Sequence, residues 1–254
     1  LMKMLPGMTV IVPCDYNQTK AATIAIADHE GPVYLRFGRP VWPIFTNADE
    51  PFVVGKAQQF SEGSDVSIFA CGHMVWKAIE AGRILKEKGI NAEIINIHTI
   101  KPLDTDAVIA SIRKTGCAVT AEEHNVLGGL GDSIAQTAAK SFPIPIEMIG
   151  TQDTFGESGK PTELLKKYGL DTEFIVAAAE KAAQESATLQ ATLQSRYTQP
   201  GNNDWRVRIS LSAGATYLYE NPNPGILGRL KATNGVVFPY TPSIETNYVA
   251  NYSK

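Results

Sequence analysis

The stretch that decides the fold is residues 117–136, CAVTAEEHNVLGGLGDSIAQ. Its first five residues are small, β-branched or apolar, as expected for a buried strand of a parallel sheet. Glycines then allow a tight turn, and Asp132 is placed to cap a helix that begins there. The stretch therefore predicts a strand, a loop and a helix in succession, which is the repeating unit of an α/β fold.

Three ionisable residues, Glu122, Glu123 and His124, lie where this strand is predicted to end. Ligands usually bind at the carboxyl ends of strands in open α/β sheets, so one interpretation is a functional site. The other is a cluster of side chains that satisfy one another's hydrogen bonds at a subunit surface, and we favour it. The glycine run has no acidic partner nearby for a ribose, so it is only a weak indication of dinucleotide binding.

Strands and helices alternate through the middle of the chain. Strands are predicted at residues 66–71, 92–97 and 144–149, and helices at residues 74–88, 104–115, 161–168 and from residue 171 onward. Such alternation favours right-handed crossovers and a mostly parallel sheet covered by helices. His73 and His98 each follow one of these strands and could line the same edge of the sheet. Neither has a partner at metal-ligand spacing, so we expect each only to begin a loop.

The part of the chain before residue 46 places two arginines at a strand end. Residues 7–13 and 31–40 predict strands, separated by a helix that Asp15 caps together with the glutamine three residues on. Arg36 and Arg39 lie at the carboxyl end of the second strand. The planar guanidinium group suits a phosphate or a carboxylate, whereas pairing with the acidic segment that follows would be purely structural. The residues alone leave both alternatives open.

The regular pattern is interrupted twice. Residues 46–64 contain helix and strand breakers, and we predict a linker and sheet edge there, with one possible strand at residues 52–57. Beyond residue 183 a predicted helix continues to about residue 194, and the composition then becomes rich in Asn, Tyr, Pro and Gly. β-like runs follow at residues 205–211, 216–219 and 236–238, which predict a small β-rich tail.

Composition narrows the classes of partner. The net charge of -3 over 254 residues gives no electrostatic reason to bind nucleic acid or an anionic membrane. No apolar run reaches membrane-spanning length and the first residues do not form a signal peptide, so a cytoplasmic protein is predicted. The three cysteines show no metal-ligand spacing and are expected to be reduced core residues.

Residues 1–182 resemble the C-terminal part of a transketolase, above all the separate C-terminal subunit found where that enzyme is encoded in two pieces. The matching segments are residues 7–15, 31–40, 120–125 with 128–131, 155–159 and 164–170. The resemblance implies the back half of a pyrimidine-binding domain over residues 1–45, a linker over 46–64 and the transketolase C-terminal domain over 65–182. The tail, residues 183–254, is outside it.

The resemblance also implies an activity. A transketolase transfers a two-carbon ketol unit between sugar phosphates, using thiamine diphosphate and Mg²⁺. Arg39 matches the arginine of the family that holds the substrate phosphate, and Arg36 lies beside it. The cofactor, the metal ion and the catalytic glutamate are expected to be held mainly by residues outside this chain, so no catalytic residue is predicted within it. We therefore expect an N-terminal partner subunit or domain, a homodimer or heterotetramer, and no activity of the chain alone.

Two alternatives remain open. The β subunits of 2-oxoacid dehydrogenases and 1-deoxy-xylulose 5-phosphate synthase share this domain layout. Residues 196–208 also faintly resemble structural proteins of tailed-phage virions. In that case the chain would be a structural fusion protein whose function resides in its tail, since a fold by itself does not determine function.

Overall fold

A computed structural model of the chain describes residues 1–198, 206–210 and 216–220. The chain divides into two units between Ala183 and Gln184, and of the second unit the structure describes residues 184–198, 206–210 and 216–220. The strands are β1 (Thr9–Ile11), β2 (Val33–Leu35), β3 (Gln58–Ser61), β4 (Val66–Ala70), β5 (Ala92–Asn96), β6 (Thr99–Lys101), β7 (Ala118–Asn125), β8 (Ile146–Thr151), β9 (Arg206–Ser210) and β10 (Thr216–Glu220). The helices are α1 (Tyr16–Ala25), α2 (Met74–Glu87), α3 (Thr105–Thr115), α4 (Leu130–Ser141), α5 (Pro161–Lys167) and α6 (Thr172–Thr198).

The main sheet has five strands in the order β3-β5-β4-β7-β8, and all neighbours are parallel except β3 and β5. Its central strand, β4, is buried along its whole length. Because successive side chains point to opposite faces, Ile68 packs against α2 and α6, whereas Phe69 packs against α3 and α4. A sheet covered on both faces requires a nearly continuous apolar strand, which explains the sequence of β4.

The second sheet is small and has the order β2-β1-β6. β1 is parallel to β2 and antiparallel to β6. Backbone hydrogen bonds from Val12 N to His98 O (2.7 Å) and from Gly72 N to Val12 O (3.1 Å) join this sheet to the main one. The carboxyl ends of β1, β2, β4 and β7 consequently meet in one place.

The mostly parallel α/β architecture is confirmed, and most predicted elements of residues 66–171 are present within one or two residues of their expected ends. In the second unit β9 and β10 form an antiparallel pair, as the β-like runs there indicated. The third run, at residues 236–238, lies outside the described residues. Among those that are described, no helix combines the length and the apolar character needed to cross a membrane.

The strand predicted at residues 52–57 is wrong, because the strand of this region is β3, a few residues later. Two backbone donors of the predicted strand are bound by side chains: Gly55 N donates to Thr99 Oγ1 (3.1 Å) and Ala57 N to Asp104 Oδ2 (3.0 Å). The chain also turns at Gly55, whose φ is +81°. A segment held in this way cannot form a strand ladder.

The predicted start of α4 is also corrected. Gly129 is the N-cap, and Asp132 lies in the first turn of the helix, where it accepts a hydrogen bond from Gly128 N. β7 in turn extends to Asn125, so Glu122, Glu123 and His124 lie within the strand and not after it. The strand β6, which no sequence pattern indicated, is formed because the chain leaving β5 pairs with β1.

Gly63, between β3 and β4, gives a direct test of this packing. A Cβ atom at Gly63 would lie 2.2 Å from the carbonyl carbon of Ala92 and 2.3 Å from Glu93 N. We expect Gly63→Ala to lower the free energy of unfolding by about 2 kcal/mol, since rigid backbone must move. Gly156→Ala is the control, because nothing lies within 4 Å of its Cβ position. Equal urea midpoints for the two variants would contradict the described approach of the strands.

Candidate functional site

A cavity of about 480 Å³ lies where the carboxyl ends of the four strands meet. The residues that follow β1, β2 and β4 line it, together with Glu123 of β7. Its volume is within the range of small-molecule sites, and its position is the usual one for ligands of parallel α/β sheets. It is therefore the candidate functional site.

Both sequence-predicted arginines line this cavity, in different environments. Arg36 is half-buried: its Nη2 donates a hydrogen bond to the backbone oxygen of Glu123 (2.6 Å) and lies 3.8 Å from Glu123 Oε2. Arg39 is exposed and forms no hydrogen bond or ion pair with any residue of 1–198, 206–210 or 216–220. It also lines a neighbouring cavity of about 370 Å³. Arg36 thus has a partner in β7, and the guanidinium group of Arg39 remains free to bind an anion.

His73 belongs to the same site, which goes beyond the expectation that it only begins a loop. Its ring stacks on Trp42 with centroids 4.2 Å apart and planes 7° from parallel. Its Nδ1 lies 3.5 Å from Glu123 Oε2. Burial lowers the pKa of His73 to about 4, and the charges of Arg36 and Lys77 act in the same direction. The ring is therefore neutral near pH 7.

Trp42 was missed by sequence reasoning, since it stands in an irregular segment that carries no periodic signal. Within the described part of the chain, Trp42 Nε1 and His73 Nε2 are buried and have no hydrogen-bond partner. A Cβ at Gly38 would lie 3.5 Å from Trp42 Nε1, so the indole supports the loop that carries both arginines. The stacked pair thereby braces that loop against the end of β4.

His98 lies elsewhere. It lines a separate cavity of about 160 Å³ and packs on Phe52 with ring centroids 4.2 Å apart. Burial lowers the pKa of His98 to about 4, although the nearby Asp104 opposes this shift. The two histidines that follow strands therefore do not share a site.

Asp15 fixes the position of Phe45 and Thr46, which follow the cavity-lining segment that contains Arg36 and Arg39. Oδ1 caps α1 by accepting from Gln18 N (2.9 Å) and also accepts from Thr46 Oγ1 (2.6 Å). Oδ2 accepts from Phe45 N (2.8 Å) and Thr46 N (2.7 Å). Burial alone would raise the pKa of Asp15, but these hydrogen bonds lower it below its usual value. The predicted cap is confirmed, although Gln18 Oε1 accepts from Cys14 N and not from Asp15 N.

The glycine run allows Glu122 to approach the start of α4. Glu122 is buried, and its carboxylate accepts from Leu130 N (2.7 Å) and Gly131 N (2.8 Å) at the start of α4. A Cβ at Gly129 would lie 2.1 Å from Glu122 Oε2, so only glycine allows this approach. Burial raises the pKa of Glu122, and the two backbone donors partly offset the shift. For Glu122 the favoured interpretation, a satisfied hydrogen-bond cluster, is confirmed.

Among the residues that the structure describes, no three His, Cys, Asp or Glu side chains lie close enough together to hold a metal ion. The fold and the cavity instead define an α/β protein that presents one free guanidinium group beside a paired one. Such a site suits a phosphate or carboxylate on a small polar molecule.

Comparisons with known proteins identify one domain of the chain. Residues 55–175 match the family model for the transketolase C-terminal domain. The 6-deoxy-6-sulfo-D-fructose transketolase subunit SqwH of Clostridium sp. (strain MSTE9) is 44% identical over 185 residues, which are 72% of this chain and 57% of that protein. These matches show that residues 55–175 are a transketolase C-terminal domain.

Two further matches complete the comparison. A solved structure described as a split-gene transketolase in an inactive β4 tetramer has a TM-score of 0.70 and 44% identity, covering 72% of this chain and 60% of that one. 1-deoxy-D-xylulose-5-phosphate synthase 1 of Geobacter sulfurreducens is 35% identical over 70% of this chain and 29% of its own length. The chain therefore spans somewhat more than half of the split-transketolase proteins that it resembles.

The buried histidines make stability depend on pH. Below pH 6.5 the unfolded chain protonates them, whereas the folded chain keeps both neutral down to about pH 4. Each of the two histidines should lower the free energy of unfolding by about 2 kcal/mol as the pH falls from 7 to 4.5. We expect His73→Phe, which keeps a ring against Trp42, to remove about half of this loss in urea titrations at the two pH values. His98→Phe is the matched comparison, and an unchanged pH dependence in both variants would contradict the burial of the neutral rings.

Proposed function

We propose that this chain is the C-terminal part of a transketolase that transfers a two-carbon ketol unit between sugar phosphates. The observation that carries the proposal is Arg39, which lines the cavity formed by four strand ends and has no hydrogen-bond or ion-pair partner among the described residues, in a chain that contains a transketolase C-terminal domain. A planar guanidinium group with all its donors free can bind a phosphate with two parallel hydrogen bonds. The substrate phosphate is assigned to Arg39.

Arg36 is assigned a secondary role in substrate binding. One of its donors is already used by the backbone oxygen of Glu123, and the carboxylate of Glu123 lies close to its charge. Its remaining donors can reach hydroxyl groups of the sugar without adding a full unpaired charge. The neutral His73 adds no charge either.

The cofactor of this function is thiamine diphosphate with Mg²⁺, and it would supply the carbanion chemistry. In the part of the chain that the structure describes, no group of three His, Cys, Asp or Glu side chains could hold a metal ion. We therefore assign the metal and diphosphate site to an N-terminal subunit or domain, and to this chain the binding and orientation of the sugar phosphate. The assembly is a dimer or heterotetramer and functions in the cytoplasm.

The alternatives in the same superfamily receive less support. The identity to the split-transketolase subunit exceeds that to the synthase, 44% against 35%, and covers a larger share of the relative. A dehydrogenase-type subunit would be recognised by activity with a 2-oxoacid in place of a sugar phosphate.

The division of labour can be tested by reconstitution. We expect the purified chain to show no ketol transfer by itself with thiamine diphosphate and Mg²⁺. Addition of the N-terminal transketolase subunit from the same organism should restore it, since that subunit is proposed to hold the cofactor. Activity of the chain alone, or no activity of the copurified complex with any sugar phosphate, would contradict the proposal.

The role of Arg39 predicts a selective defect. In the reconstituted complex, Arg39→Ala should raise KM for a sugar phosphate by about tenfold to a hundredfold, the value of a lost charge-assisted hydrogen-bond pair. KM for the unphosphorylated sugar should not change, because that substrate has no group for the guanidinium to bind. Arg113→Ala is the matched control, since this exposed arginine packs on Phe142 away from the cavity. Equal effects on both sugars would refute the phosphate contact.

A further inference from the structure

Arg36, the second arginine of the cavity, is paired with Glu123. The binding of one phosphate by Arg39 does not require this pair. Glu123 contacts Arg36 twice, through its backbone oxygen at 2.6 Å and through its carboxylate at 3.8 Å. The two residues are 87 positions apart in sequence, so the pairing depends on the meeting of the two sheets. The side chain of Arg36 is 33% exposed and that of Glu123 is 46% exposed, so both charges face the cavity mouth.

The charges around the cavity balance. Its lining contains two arginines, Arg36 and Arg39, and two carboxylates, Asp15 and Glu123. Both oxygens of Asp15 are occupied by the α1 cap and by the segment at Thr46, so this carboxylate is directed into the protein. Glu123 is left as the carboxylate that acts on the arginines. Among the described residues that line the cavity, Arg39 is then the positive charge without a compensating partner.

Glu123 is itself held in place from the other side. The neutral ring of His73 lies 3.5 Å from its Oε2, and that ring is stacked on Trp42. A neutral ring orients the carboxylate without cancelling its charge, so the negative charge remains available to Arg36. The Glu123 carboxylate therefore lies between the ring of His73 and the guanidinium group of Arg36.

We propose that Glu123 determines the anion preference of this cavity: it positions Arg36 and offsets its charge, so that a single phosphate group is bound in preference to a diphosphate. This inference rests on the proposed function, in which Arg39 binds the substrate phosphate. A second phosphate would meet an arginine whose charge Glu123 already offsets, so it would gain little from binding there.

The test uses the full chain at pH 8 and two simple probes, inorganic phosphate and inorganic pyrophosphate, with binding measured by isothermal titration calorimetry. Glu123→Gln removes the charge and keeps the size of the side chain and the backbone contact to Arg36. This change should increase the affinity for pyrophosphate relative to phosphate by about threefold to fivefold. The factor is modest because water partly screens the pair of Arg36 and Glu123. Glu180→Gln is the matched control, since Glu180 is similarly exposed and paired with Lys88 outside the cavity.

A double variant separates positioning from direct contact. In Arg36→Met the additional Glu123→Gln change should no longer shift the preference towards pyrophosphate, because Glu123 acts through Arg36. Arg36→Met alone should weaken phosphate binding by less than about twofold, since the paired charge contributes little. If Arg36→Met weakens it as much as Arg39→Ala does, Arg36 is not neutralised and the inference is wrong, whether or not Glu123→Gln folds.

The outcomes distinguish the two proposals. Binding of phosphate that depends on Arg39, with an unchanged pyrophosphate preference in Glu123→Gln, overturns the role of Glu123 and leaves the proposed function standing. A shift that persists in the Arg36→Met background also overturns it, because Glu123 would then act on the anion directly. Phosphate and pyrophosphate binding unaffected by Arg39→Ala would overturn the proposed function and this inference together.

Discussion

The candidate site depends on two backbone hydrogen bonds of one residue, Val12. Its N–H donates to His98 O beyond β5, and its carbonyl accepts from Gly72 N at the end of β4. These bonds attach the small sheet to the large one with their carboxyl ends together. Without them the loop of Arg36 and Arg39 would not face Glu123 and His73. Because both groups are buried backbone, the connection is costly to break.

Each carboxylate at or near the site has its own hydrogen-bond or ion-pair partner, and these pairings determine which charge can bind a ligand. Glu122 takes the first backbone donors of α4, and Asp15 takes those of α1 and of the segment at Thr46. Glu123 takes Arg36. Each negative charge is thus committed to a specific structural contact, and Arg39 is left as the cation that can receive a ligand. An anion is favoured there without any net positive charge on the chain.

The chain spans little more than half of the split-transketolase proteins that it resembles. It offers a binding surface for an anion and a set of orienting residues. The described residues offer no ligand set for a metal ion. This distribution is consistent with the proposed function, in which the cofactor is held by residues outside this chain.

The sequence by itself determined the alternation of strands and helices, because apolar periodicity, caps and glycine turns act over short distances; β4, α2 and the cap of Asp15 were all predictable in this way. It also placed Arg36 and Arg39 at a strand end. Only the tertiary structure decided which residues join them, since Glu123 and His73 approach across two sheets, and it alone produced β6 and the contact of Gly129 with Glu122. Contacts between residues distant in sequence leave no periodic signal, so the free charge of Arg39 and the paired one of Arg36 could not be told apart beforehand.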